Sequence, residues 1–260
     1  MIDGHIHLEN GPHTVEYVLE FVKQAEIMGI KTIHILDHTH RFVEFKPIYE
    51  ELNVIPQQKK WLENKNLEPI SSFHNLAEKV KKLDIGVDVR FGLEVCYVPK
   101  HREYIANELS KYNYDFVIGS VHSIENRLYD MTFSNEILWD KFDTDYIYKK
   151  YYEIVFDLVG SGIFTQLGHC DNLKISGCNP SYDLTKTYEQ LAQLLNKNNM
   201  YAENNTGCRY RYNHKDIGLS KEFLDILKAN KVKLITSSDA HYPEHVGMCI
   251  KEIYNNTMNL

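Results

Sequence analysis

Seven short apolar runs recur along this chain of 260 residues, and six of them stop at a histidine or an acidic residue. The first run is the N-terminus itself, Met-Ile-Asp-Gly-His-Ile-His. The run at 31–36 delivers Asp37 and His38, that at 87–93 delivers Glu94, and that at 115–121 delivers His122. The run at 164–168 delivers His169 and Asp171, and that at 232–236 is followed by Ser238-Asp239-Ala240-His241. The sixth, at 200–203, leads into 204–211. Helical periodicity fills most of the intervals, so strands alternate with crossover helices. That alternation predicts a parallel sheet in an α/β fold. No glycine-rich phosphate loop follows the first run, which argues against an open, doubly wound sheet. A closed β/α barrel gathers the C-terminal ends of its strands on one rim and builds its site there. Histidines kept for packing alone would not collect at one end.

His5 and His7 are two apart on a strand, so both side chains leave the same face. His13 follows a Gly-Pro turn. Alone, this pair reads as two surface histidines on an N-terminal arm; Asp239 and His241 at the far end of the chain answer it. The resulting set is His5, His7, His13, His38, Glu94, His122, His169, Asp239 and His241. Glu94, Asp239 and His241 are the candidates for catalytic as well as ligand roles. Seven imidazoles and two carboxylates exceed the needs of one tetrahedral zinc. They suit two or three divalent ions, and an imidazole- and oxygen-rich shell without thiolate fits zinc, iron, manganese or cobalt. So much positive charge calls for an anionic guest, and a phosphate monoester attacked by a metal-bridging hydroxide is the natural reading. Arg209 and Arg211, in the loop after the sixth run, are candidates to grip the phosphate.

The chain has enough residues for a sizeable core, and a single domain over 1–260 is expected. The formal net charge is -7 with no basic block, which argues against a nucleic-acid partner. No apolar run is long enough for a bilayer, and the N-terminus carries no leader pattern. Five scattered cysteines without a Cys-x-x-Cys fit reduced thiols in a cytoplasmic protein. A helix is expected from Thr14, as N-cap, to Met28, with Gly29 as the stop. His34 reads as a packed histidine. Residues 39–84 form a long connection with helical patterns near 57–64 and 73–83, in which His40, Arg41, Glu44 and Lys46 read mostly as solvated.

The motifs Asp-Gly-His-Ile-His (3–7), Gly-Pro-His (11–13), Leu-Asp-His (36–38), Gly-Leu-Glu-Val (92–95), Gly-Ser-Val-His-Ser (119–123), Gly-His-Cys-Asp (168–171) and Ser-Asp-Ala-His (238–241) span nearly the whole chain. In this order and spacing they resemble those of the polymerase and histidinol phosphatase (PHP) superfamily. The resemblance implies a distorted seven-stranded, TIM-like β/α barrel with a trinuclear metal site. His5, His7, Glu94 and Asp239 would hold the first metal. Glu94 would bridge to a second, shared with His122 and His169, and His13, His38 and His241 would hold the third. Length and flanking segments look most like the histidinol-phosphatase branch, which hydrolyses L-histidinol phosphate in histidine synthesis. Relatives often carry Thr-Pro and a cysteine where this chain has 8–12, Leu-Glu-Asn-Gly-Pro. A PHP phosphoesterase acting on phosphotyrosine or a nucleotide is the nearest rival. A metal-dependent amidohydrolase is another, but it would need a strand-borne lysine where Glu94 stands. A non-catalytic metal-stabilised domain would bind metal without turnover.

Overall fold

The computed structural model of the chain describes residues 1–258. Seven parallel strands form one sheet in chain order: β1 (Ile2–His7), β2 (Thr32–Leu36), β3 (Asp88–Cys96), β4 (Phe116–Ser120), β7 (Gln166–Leu167), β8 (Tyr201–Asn205) and β9 (Lys233–Ser237). Between β4 and β7 lies a small antiparallel hairpin, β5 (Ser123–Ile124) and β6 (Arg127–Leu128). The last strand returns to the first. The His7 N–H donates to the Ala240 carbonyl at 2.7 Å, and Thr236 Oγ1 donates to the Ile2 carbonyl at 2.5 Å. The sheet is therefore a nearly closed barrel, as the alternating pattern predicts. Its strands are buried on both faces because helices cover the outside.

The helices obey local rules. In α1 (Val15–Met28), Thr14 Oγ1 accepts from the Tyr17 N–H at 3.3 Å, and Gly29 ends the helix at φ 70. Val18, Phe21, Val22 and Ala25 form its buried stripe. Burying each large apolar side chain contributes about 1.5–3 kcal/mol.

Three stretches differ from the sequence expectation. First, residues 39–54 are two successive 3₁₀ segments rather than solvated loop, whereas α2 (Pro56–Glu63) and α3 (Ile70–Val80) that follow agree with the helical patterns near 57–64 and 73–83. Arg41 is buried, donating to Asp37 Oδ2 at 3.0 Å and to the Leu8 carbonyl at 3.4 Å. Glu44 accepts from the Ile70 N–H at 3.0 Å, capping α3 from a distance because Pro69 stands at its N-cap and offers no side-chain oxygen. Second, β3 runs past Glu94 to Cys96, because β4 keeps pairing with it through Cys96↔Ser120. Glu94 is thus held inside a strand, not on a loop. Third, part of the stretch after β8 is a short helix, α7 (Gly207–Tyr212). Of the remaining helices, α4 (Arg102–Leu109), α5 (Thr144–Gly160), α6 (Thr185–Lys197), α8 (Lys221–Ala229) and α9 (Ile250–Met258) follow in order. Among the described residues no helix is long and apolar enough to cross a membrane.

His34 is packed as expected. It stacks on Phe116 with centroids 4.3 Å apart, and neither ring nitrogen has a hydrogen-bond partner. Burial, then the charge of Arg90, lowers its pKa from 6.5 to about 4. The unfolded chain therefore binds a proton that the folded chain refuses. Stability present above pH 6.5 is lost as pH falls from 6.5 towards 4. Replacing His34→Leu should shrink the loss between pH 7 and pH 4 by up to about 3 kcal/mol. Urea melts at the two pH values check this; an unchanged acid slope would refute it.

Candidate metal centre

Six of the seven barrel strands carry or lead into a candidate ligand at the C-terminal rim, and Glu94 stands at their centre. Its Oε2 lies 3.2 Å from His5 Nε2, 3.4 Å from His7 Nε2 and 2.9 Å from His38 Nε2. Its Oε1 lies 2.9 Å from His169 Nε2 and 3.4 Å from His122 Nε2. One carboxylate thus has two oxygens facing two separate sets of imidazoles. Burial alone would raise the Glu94 pKa, but the His5, His38 and His122 rings hold it well below the usual carboxylate range.

β1 carries a register irregularity between Asp3 and Ile6, yet His5 and His7 still converge, with Nε2 atoms 2.9 Å apart. Asp239 follows β9 in the left-handed region, at φ 59, which aspartate tolerates better than most residues. Its Oδ1 lies 3.2 Å from His7 Nε2 and 3.8 Å from His5 Nε2. The loop that carries it is tied down by buried Asp3, which accepts from the Ser238 N–H at 2.8 Å and the Gly247 N–H at 2.9 Å. Gly168 is required for close approach: a Cβ there would collide with the Ser120 side chain, pushing apart the strand ends that aim His169 at Glu94.

Three groupings of donor atoms lie within metal-ligating reach: His5, His7 and Asp239; His38, Glu94 and His122; and His7, Glu9, His38 and His241. The third grouping differs from expectation. His13 is turned away from the cluster, with Nε2 at 2.7 Å from Asp37 Oδ2, Nδ1 at 2.9 Å from Glu68 Oε2, and its ring against Phe42 and Phe73. Both of its nitrogens are taken by buried or half-buried carboxylates. In its place stands Glu9, whose oxygens lie 3.0 Å from His38 Nδ1 and 3.3 Å from His241 Nε2. A glutamate two residues after a paired histidine gave no signal separate from that of a turn residue.

The two arginines also part company. Residues two apart on a helix point to different sides. Arg211 Nη1 bridges to Asp239 Oδ2 at 2.8 Å and lines the cavity above the cluster. Arg209 is exposed and donates instead to the His214 carbonyl at 3.0 Å; it does not line the cavity. His40, expected in solvent, is buried and lines it beside Tyr49, Trp61 and Lys65. Asp130, Asn172 and Tyr212 also line it, and the cavity volume is about 170 Å³.

The donor set tests well for divalent cations. It is all nitrogen and carboxylate oxygen, within 4.8 Å in each grouping, which suits zinc or its first-row neighbours. Proton demand is also divided. Glu94 and Glu9 more than reverse the effect of burial on His38 and carry it to about 9, whereas burial and Arg211 push His241 to about 4.

The sequence profile of the PHP domain matches residues 3–207. The chain belongs to the PHP domain family. Asp239 and His241 lie beyond the matched segment of this PHP chain and join its site through the barrel closure. A Schizosaccharomyces pombe protein named probable histidinol-phosphatase is 24% identical over 246 residues, covering 88% of this chain and 76% of that protein. A Deinococcus radiodurans protein of the same name is 25% identical over 268 residues, covering 97% and 92%. Among solved structures, a Listeria monocytogenes chain provisionally assigned as a histidinol phosphatase superposes with a TM-score of 0.75 at 16% identity, covering 97% of this chain and 99% of that one. Histidinol phosphate phosphatase from Lactococcus lactis, solved with zinc, L-histidinol and phosphate, gives 0.68 at 15% identity, covering 99% and 92%. At these identities the two structures establish the shared barrel fold.

Proposed function

We propose that this PHP chain is a metal-dependent phosphatase of small phosphate monoesters, and that L-histidinol phosphate is its substrate. The observation that carries the reading is the convergence of His5, His7, Glu9, His38, Glu94, His122, His169, Asp239 and His241 beneath a cavity of about 170 Å³. The names of the two relatives, and the histidinol and phosphate bound in the Lactococcus enzyme, favour the same substrate. Two or three divalent cations would be held, by His5, His7 and Asp239, by Glu94 with His38, His122 and His169, and by Glu9 with His7, His38 and His241. Cations there would supply positive charge to phosphate oxygens and acidify a water.

The protein's own groups do the rest. Arg211 can turn its planar fork from Asp239 to a phosphate oxygen at the rim. The rings of Tyr49, Trp61 and Tyr212 narrow the cavity and keep bulk water from the reacting bond. Asp130 supplies the negative charge that a cationic amine or imidazole requires.

The test is phosphate release from L-histidinol phosphate, p-nitrophenyl phosphate and a phosphotyrosine peptide, with cation content measured on the same sample. L-Histidinol phosphate is expected to win clearly; equal and weak turnover of all three would remove the substrate assignment. Replacing Asp130→Asn should raise KM for L-histidinol phosphate about 10-fold or more, as expected for losing a charged hydrogen bond, and leave p-nitrophenyl phosphate unaffected. An equal change for both substrates would place Asp130 outside recognition.

A further inference from the structure

Glu203, on β8, touches neither the cavity nor Glu94, yet it is fully buried, at 0% exposure. Four donors from separate parts of the barrel saturate its carboxylate. Oε1 lies 2.8 Å from His5 Nδ1 and accepts from Gln166 Nε2 at 2.7 Å. Oε2 accepts from the His169 backbone N–H at 3.2 Å and from Asn205 Nδ2 at 2.9 Å. Gln166 in turn donates to the Gly4 carbonyl at 3.0 Å, beside His5. One carboxylate is thus bonded to the ring of His5 and to the main chain of His169. Those two residues face opposite oxygens of Glu94.

We infer that Glu203 is a positioning residue that fixes His5 and His169 together for cation binding. By accepting from His5 Nδ1 it keeps the proton there and leaves the Nε2 lone pair aimed at Glu94, His7 and Asp239. By accepting from the His169 N–H it sets where β7 ends and from which point His169 reaches Glu94 Oε1. A burial of this kind costs too much to persist as an accident of packing: every lone-pair direction is matched to a donor. Partners that orient metal-bound histidines in this way are worth about 10–100-fold in metal affinity.

Glutamine at 203 keeps the shape but cannot satisfy all four donors. Its NH2 must oppose either the His5 Nδ1–H or the pair formed by His169 N–H and Asn205. The inference rests on the metal-binding reading, not on the substrate. Zinc affinity is therefore measured by chelator competition on the wild-type protein and on Glu203→Gln, each shown folded by circular dichroism. Wild type is expected to bind zinc, and the variant to bind it about 10–100-fold more weakly. Failure of wild type to bind would sink the metal reading and this inference with it. Wild-type affinity in a folded variant, within threefold, would overturn this inference alone. Should the variant not fold, nitrogen-15 spectra of zinc-loaded wild-type protein decide. The His5 proton is expected on Nδ1, and a proton on Nε2 would overturn the assignment.

Discussion

Glu94→Gln should lower kcat/KM for a phosphate monoester by about 10³-fold or more and release at least one equivalent of divalent cation. The glutamine fits the same space, so the effect is one of charge and lone pairs. Five imidazoles face the two carboxylate oxygens at 2.9–3.4 Å. An amide would offer one acceptor and turn an NH2 towards the other set. Whichever way it settles, one set of nitrogens loses its negative partner in a region closed to water, where such a loss is costly. The decisive measurement pairs steady-state kinetics with metal analysis on the folded variant. Full cation content with full activity would dismantle the proposed centre. Loss of cation in a variant that still folds, with a lowered thermal midpoint, is the expected pattern.

Glu9→Ala and His13→Ala should have opposite consequences, although the residues are four apart. Glu9 faces His38, His40 and His241; without it, cation content should fall and kcat/KM with it, by about 10–100-fold. His13 joins Asp37 and Glu68 outside the cluster. Its loss leaves the buried Asp37 carboxylate to Arg41 alone, a destabilisation of about 1–3 kcal/mol, with cation content unchanged. Denaturation midpoints and metal analysis of both variants separate the cases. If His13→Ala sheds a cation while Glu9→Ala keeps all of them, the assignment is reversed.

These two residues also mark where the sequence stops being legible. His5, His7, Glu94 and His122 could be read because strand periodicity dictates which face and which end a side chain occupies. His13 could not, because it follows a turn, and a turn's direction depends on what the chain meets next: here Asp37, Glu68 and the rings of Phe42 and Phe73. Arg41 and His40 escaped for the same reason, since their burial depends on tertiary partners rather than on local pattern. Glu203 was hidden differently. Its place at a strand end was visible, but its partners are 34 to 198 residues away for three of its four hydrogen bonds. The split between Arg209 and Arg211 awaited the knowledge that they stand on a helical turn.

The seam between β1 and β9 has a consequence for the order of events during synthesis. His5 and His7 emerge from the ribosome more than two hundred residues before the segment bearing Asp239. Until then the early imidazoles have no carboxylate from that strand and no neighbour along their open edge. Contacts so distant along the chain form slowly. A nascent chain thus carries only fragments of the proposed cation cage, and on that proposal high-affinity capture waits until the circle of strands is complete.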